Sequence, residues 1–164
     1  PGFEGPPAVE HDDFDAPELG IVYQWLRTPR PSEFCSLTER PGYLRLYGME
    51  SPGSRYKQAL IARRQTDPVF TAETSLDFDP ASFQNLAGLV LYYNASKFHY
   101  LYISRDDEVG KHLAVMSCEG ELLLDANFPD YADRIPLPEG EVRRWAGLPA
   151  GRLSPNVFRA FQYG

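Results

Sequence analysis

The chain has 164 residues, 43% of them hydrophobic and 24% charged, which is enough for one domain with a real core and outside the disordered class. A net charge of −7 argues against nucleic acid as a partner, because that binding rests on Lys and Arg neutralising phosphates, whereas a neutral ligand such as a sugar is compatible with it. No apolar run approaches the ~20 residues needed to span a bilayer, so no membrane partner is expected.

In chain order, residues 1–11 hold Pro1, Pro6 and Pro7 with Gly2 and Gly5 and no periodic apolar pattern. They read as a linker or the tail of a preceding domain, placing a boundary near His11 and the folded unit at residues 12–140. In residues 43–47, Leu44 and Leu46 share one strand face and Tyr43, Arg45 and Tyr47 the other. A strand over residues 57–64 ends on Arg63 and Arg64. Residues 70–78 alternate cleanly: Phe70, Ala72, Thr74, Leu76 and Phe78 oppose Thr71, Glu73, Ser75 and Asp77, and Asp79-Pro80 closes the strand. Residues 81–86 suit a short turn of helix. Residues 87–93 and 98–104 form an antiparallel hairpin across Asn94-Ala95-Ser96-Lys97. A polar turn at 105–111 leads to two short strands, 113–117 and 122–124, around Cys118-Glu119-Gly120-Glu121. Residues 141–164 show no strand alternation. Many short strands with regular turns predict an all-β fold, a two-sheet antiparallel β-sandwich.

The chain has 23 acids, and most fall in turns or on polar strand faces, so no catalytic carboxylate pair is assigned. Asp12, Asp13 and Asp15 offer hard oxygen ligands that would suit a structural calcium, against the plainer reading of exposed acids. His11, His99 and His112 are scattered without ligand spacing, and no cofactor is expected. Cys35 and Cys118, far apart and outside any CxxC, read as two buried free thiols, with a disulfide as the alternative; free thiols suit a reducing, cytoplasmic compartment. Phe98, Tyr100 and Tyr102 share one strand face while His99, Leu101 and Ile103 share the other. One face must fill the core; the other meets a neighbouring domain or stacks sugar rings, and Tyr92 and Tyr93 join these aromatics as candidate contacts. Arg63 and Arg64 form a compact basic pair, open to an interdomain salt bridge or to plain solvation.

Several blocks together resemble a known family. They are Asp12-Asp13-Phe14-Asp15, Trp25-Leu26-Arg27-Thr28-Pro29 and the run from Ser36 to Gly48, then Glu50-Ser51, Ser54-Arg55, Gln58 and Ala62-Arg63-Arg64-Gln65. Phe70-Thr71-Ala72-Glu73-Thr74, Phe83-Gln84, Ala87-Gly88-Leu89-Val90, Tyr92-Tyr93-Asn94 and Tyr100-Leu101-Tyr102-Ile103-Ser104 continue the series. Their order and spacing over residues 11–139 resemble the C-terminal concanavalin A-like domain of family 43 β-xylosidases. The resemblance implies a jelly-roll sandwich packed on a five-bladed catalytic β-propeller of the same enzyme. It further implies an accessory domain that supports the pocket of a β-xylosidase or α-L-arabinofuranosidase acting on xylo-oligosaccharides. The family's catalytic acids lie on the propeller, so none is carried over to this chain. A free-standing carbohydrate-binding module built on Tyr92, Tyr93, Phe98, Tyr100 and Tyr102 is the alternative. Beyond Gly140 the family pattern is lost, and truncation, an altered reading frame and divergence all remain open for residues 141–164. A tail without strands would leave Phe70, Leu76 and Phe78 short of cover and the chain alone marginal.

Overall fold

The structure is a computed structural model that describes residues 11–27, 29–66, 70–119, 126–127, 133–139, 143–146 and 158–163. β1 (Tyr23–Trp25) is followed by a 3-10 turn (Pro31–Glu33), a small ladder of β2 (Cys35–Ser36) with β3 (Arg45–Leu46), and then β4 (Leu60–Arg63) and β5 (Glu73–Leu76). A long meander comes next, made of β6 (Leu86–Asn94), β7 (Lys97–Asp106) and β8 (Gly110–Cys118). β9 (Ala126–Asn127), β10 (Ile135–Pro136), β11 (Arg143–Ala146) and β12 (Phe158–Tyr163) complete the order. All the pairings are antiparallel, and the large sheet runs β1-β4-β12-β6-β7-β8-β10, with β9 also on β8. The fold is all-β, as the spacing of turns predicts.

Side-chain alternation on the meander builds the larger core. Phe98, Tyr100 and Tyr102 of β7 are buried, and their cross-strand partners are Tyr92, Val90 and Gly88 on one side and Cys118, Met116 and Ala114 on the other. Together with Leu60, all but the glycine form one buried cluster, flanked by Leu26 and Leu86. Each large side chain so buried contributes roughly 1.5–3 kcal/mol relative to exposure. Gly88 has a specific task here: a Cβ at this position would lie 1.9 Å from the Leu101 carbonyl oxygen and 2.8 Å from Tyr102 Cα.

The opposite sheet face carries two short ladders. The β2–β3 pair packs Phe34, Cys35, Leu44 and Leu46 against Tyr23, Trp25 and Ile61. β5, paired with β11, brings Leu76 to Ala87, Leu101, Ile103 and Leu113. Exposed and half-buried residues alternate without a break from Phe70 to Asp79, as their period-2 pattern predicts, although ladder pairing covers only Glu73–Leu76.

Both hairpins of the meander are closed by asparagine or aspartate. At the first, Asn94 Oδ1 accepts from the Ser96 amide at 2.8 Å, and the strands run to Asn94 and Lys97 rather than stopping at 93 and 98. At the second, Asp106 Oδ1 accepts from the amides of Glu108 and Val109 at 2.8 and 2.6 Å, and Gly110 supplies the positive φ that a three-residue loop requires. Asp106 Oδ2 takes a hydrogen bond from Arg134 Nη1 and lies 3.2 Å from Nδ1 of buried His112. Burial pushes the Asp106 carboxyl up, but its backbone hydrogen bonds, Arg134 and His112 outweigh this and hold it below the usual carboxylate range. On the other face of the same end, Arg105 and Lys111 stand directly opposite each other, and Asp79 and Glu139 neutralise them. The link from β5 to β6 is pinned there as well, by Ser104 Oγ to Asn85 O at 2.9 Å and Arg105 Nε to Pro80 O at 2.8 Å.

Two expectations are corrected. Residues 81–86 form no helix: Asn85 Oδ1 takes the amides of Ala81 and Ser82, making a side-chain-closed turn instead. A 3-10 turn lies instead at Pro31–Glu33, where Pro31 presets φ. Residues 141–164 do contain strands, and β12 lies between β4 and β6, so the ladder continues past residue 140. Phe158-Arg159-Ala160-Phe161-Gln162-Tyr163 hides this role because neither alternate set is uniformly apolar. Residues 1–10 and the strand expected at 122–124 lie outside the described residues.

Gly88→Ala forces a methyl into the β7 backbone and should destabilise the domain by ~3 kcal/mol, lowering the melting midpoint by about 10 °C. Calorimetry of the purified variant measures this directly. Asp106 binds its proton more weakly folded than unfolded, so its contribution is present above the unfolded carboxylate value and is lost as pH falls through the lower folded one. Urea melts of wild type and Asp106→Asn between about pH 6 and about pH 2 should therefore show a stability gap that narrows below roughly pH 4.

Candidate functional site

The described chain meets the large sheet at one end, and local hydrogen bonds fix how it does so. Asp12 Oδ1 accepts from the Phe14 amide at 2.8 Å, and Asp12 Oδ2 accepts from the Tyr23 hydroxyl at 2.9 Å. Burial first, then this hydrogen bond and the Asp12 charge, raise the Tyr23 phenol well above its ordinary range, against the opposing pull of Arg63. Phe14 sits at φ 56° with its ring 6.0 Å from that of Tyr23. A bulky residue in the left-handed region is strained, and the Asp12–Tyr23 bond and the ring contact hold it there.

Cross-strand register shows what surrounds this point. Tyr23, Arg63, Leu91, His99 and Ser117 fall in one row across the sheet, with Phe158 between Arg63 and Leu91. Beyond the row, toward the β6–β7 hairpin, Arg64 lies one position on and Ile21, Tyr93, Lys97 and Glu119 two positions on, all exposed. Elsewhere, Arg40 stacks on the ring of Tyr43 at 3.7 Å and pairs with Asp77 at 2.5 Å.

The structure thus sorts the candidate residues. Tyr92, Phe98, Tyr100 and Tyr102, 0–5% exposed, are interior and present no ring to a sugar. Packing decides this: their face of β7 is the one buried between small partners, whereas sequence periodicity left both faces equally apolar. Tyr93 is 61% exposed and is brought to the same end as Arg63 and Arg64. Asp12, Asp13 and Asp15 do not converge: Asp12 is used by Phe14 and Tyr23, Asp13 bonds His11 at 2.8 Å, and no group of three or more His, Cys, Asp or Glu among the described residues could hold a metal ion. His99 Nδ1 lies 2.9 Å from Ser117 Oγ, and its Nε2 lies 4.0 Å from Glu119. The order Ser, His, Glu does not make a nucleophile here, because Ser117 sits between ladder partners on both sides and its strand offers no pair of free amides to an oxyanion. Cys35 and Cys118 form no disulfide and are buried in separate clusters, and burial raises the Cys35 thiol. Ile21, 97% exposed, was not legible as a surface residue, since Leu19-Gly20-Ile21-Val22-Tyr23 reads as a buried apolar run.

Residues 11–139 match the family described as the β-xylosidase C-terminal concanavalin A-like domain. The chain is similar to a β-xylosidase of Bacillus subtilis, 43% identical over 110 residues covering 67% of this chain and 21% of that protein. It is also similar to xylosidase/arabinosidase 43B of Humicola insolens, 41% identical over 118 residues covering 72% of this chain and 21% of that protein. Among solved structures, the xylan β-1,4-xylosidase of Bacillus halodurans superposes with a TM-score of 0.77 at 32% identity, covering 93% of this chain and 35% of that one. The chain spans about a fifth to a quarter of the length of the curated relatives it matches. This match, with the all-antiparallel architecture, places the chain in the family of β-xylosidase C-terminal concanavalin A-like domains.

Proposed function

We propose that this chain is a non-catalytic accessory domain of a family 43 glycoside hydrolase of the β-xylosidase or α-L-arabinofuranosidase type, packing on the catalytic propeller and supporting its active-site pocket. The observation that carries this reading is the match itself. It is confined to the C-terminal domain family over residues 11–139, and the match covers only about a fifth to a quarter of the relatives' length.

The packing supports it. Four of the five aromatics that a sugar-binding module would use are consumed by the core, leaving Tyr93 as the one exposed ring of that set. A single ring gives little stacking area, so xylo-oligosaccharides belong to the parent enzyme's pocket rather than to this domain. Arg63 and Arg64 are then interdomain residues, and the domain works by holding the propeller's pocket in shape. No metal is needed for that, and the acids at residues 12–15 act in fixing the chain's approach to β1.

Two measurements test the reading. The 164-residue chain should give no turnover of aryl xylosides or arabinosides above a buffer blank; turnover that disappears when an acid of this chain is substituted would overturn the non-catalytic assignment. In the parent enzyme, deleting this domain should lower kcat/KM on xylobiose by about 100-fold, the scale expected when pocket groups are misplaced by an ångström or so. Unchanged kinetics after deletion would remove the pocket-supporting role.

A further inference from the structure

We propose that the turn at residues 52–57, together with Arg27 and Arg30, is a binding surface for acidic polysaccharide, that is, for sugar chains that carry uronate carboxylates. The proposal rests on the accessory reading above and adds to it a ligand distinct from the neutral oligosaccharides of the parent enzyme's pocket.

The turn is braced from three sides. The Glu50 amide donates to the Lys57 carbonyl at 3.0 Å and closes its base. Within it, buried Gln58 donates its Nε2 to the carbonyls of Pro52 and Ser54, both at 2.5 Å, and Ser54 Oγ accepts from the amides of Tyr56 and Lys57 at 3.2 and 3.4 Å. From the neighbouring loop, Arg27, itself at φ 54°, donates Nη1 to the Arg55 carbonyl at 2.5 Å, which joins the two segments. Gln58 then leads through buried Ala59 into buried Leu60 of β4, so the turn stands on the rigid core. Loops held in this way are where folded domains carry binding residues.

What this bracing displays is Arg55-Tyr56-Lys57, three consecutive exposed side chains. Tyr56 is 77% exposed, more than Phe83 at 70% or Tyr93 at 61%. Arg27, Arg30, Arg55 and Lys57 are exposed and make no ion pair among the described residues. The acids of the two segments are Glu33 and Glu50, and Glu50 is engaged by the Ser54 hydroxyl, so positive charge is in excess here on a chain whose net charge is −7. The cations at the hairpin end are placed differently: Lys97 and Glu119 both adjoin the Phe98–Cys118 pair, and Arg63 acts on Tyr23 beside Asp12. An arginine takes a carboxylate through two parallel N–H donors, a lysine adds a point charge, and a tyrosine lays a flat face with a polar tip against a sugar ring. One ring gives little stacking area, so charge must carry the binding, and a chain with carboxylates is selected over a neutral one.

Titration calorimetry of the 164-residue chain with glucuronoxylan, and with the same polymer after its carboxylates are reduced to alcohols, tests this. Glucuronoxylan should bind saturably and its reduced form about tenfold more weakly, and raising the salt from about 0.02 to about 0.5 M should weaken the acidic polymer's binding severalfold. Arg55→Glu combined with Lys57→Glu should lower the affinity about tenfold, and Tyr56→Ser about threefold. All three side chains are exposed, so these variants should leave the melt of the chain unchanged. Should the melt shift, Arg30→Glu, outside the turn, becomes the deciding variant and must itself weaken binding. Failure of glucuronoxylan to bind, or equal binding of its reduced form, would overturn the site while leaving the accessory reading standing, because deletion kinetics test that reading separately. Equal binding of polyglutamate would assign the surface to acidic protein and overturn the sugar assignment. In the parent enzyme the double charge variant should leave kcat/KM on xylobiose unchanged; a fall as large as that caused by deleting the domain would assign the turn to the pocket and overturn its role as a separate site.

Discussion

Three large rings at alternate positions of one central strand set the terms for the rest of the sheet. Phe98, Tyr100 and Tyr102 of β7 are buried side by side, with Tyr100 and Tyr102 ring centroids 5.4 Å apart. Close packing leaves room for such rings only if most of the facing positions are slim. The partners of Tyr102 are Gly88 and Ala114, those of Tyr100 are Val90 and Met116, and Phe98 lies between Tyr92 and Cys118. Gly88 is the extreme case, because the β7 backbone occupies the space its side chain would take. The close approach of β6 to β7 therefore follows from the bulk of the rings and the absence of a side chain opposite Tyr102.

The same packing determines which chemistry is left to the surface. Burial, with Tyr102 beside it, raises the Tyr100 phenol well above its ordinary range, and burial is also the leading cause for Tyr102. Neither is positioned as an acid or base for a solvent-borne substrate. Residues that look like ligand platforms in the sequence become the interior.

Much of the architecture was legible because it depends on period-2 alternation and turn chemistry, both local properties. Residues 70–78 and the meander from 87 to 117 match the observed strands to within a few residues. Asn94 and Asp106 signal hairpins because their side chains take the turn amides themselves. What failed was non-local. β12 lies between β4 and β6 through backbone pairing, and its mixed sequence carries no apolar stripe to announce it. Which face of β7 is buried depends on what packs over it, so Phe98, Tyr100 and Tyr102 could not be told from surface rings. Arg63, Arg64 and Tyr93 are candidate contacts in the sequence, but their shared location comes from the register between strands about thirty residues apart in the chain.

The two ends of the sheet differ in how they treat charge. At the β7–β8 end, Lys111 is buried and faces Arg105 across the ladder, an arrangement of like charges that would be destabilising by itself. Asp79 and Glu139 come from the flanking segments to neutralise the pair, and Asp106 takes Arg134 in the same way. Charges so matched cannot be offered to a partner without reopening the contacts that hold β5, β10 and the hairpin together. At the β6–β7 end the fold makes no such demand: the Asn94 turn is closed by an uncharged side chain, and the Asp12–Tyr23 bond uses a phenol rather than a cation. Arg64 and Lys97 therefore stay at the surface and, among the described residues, make no ion pair.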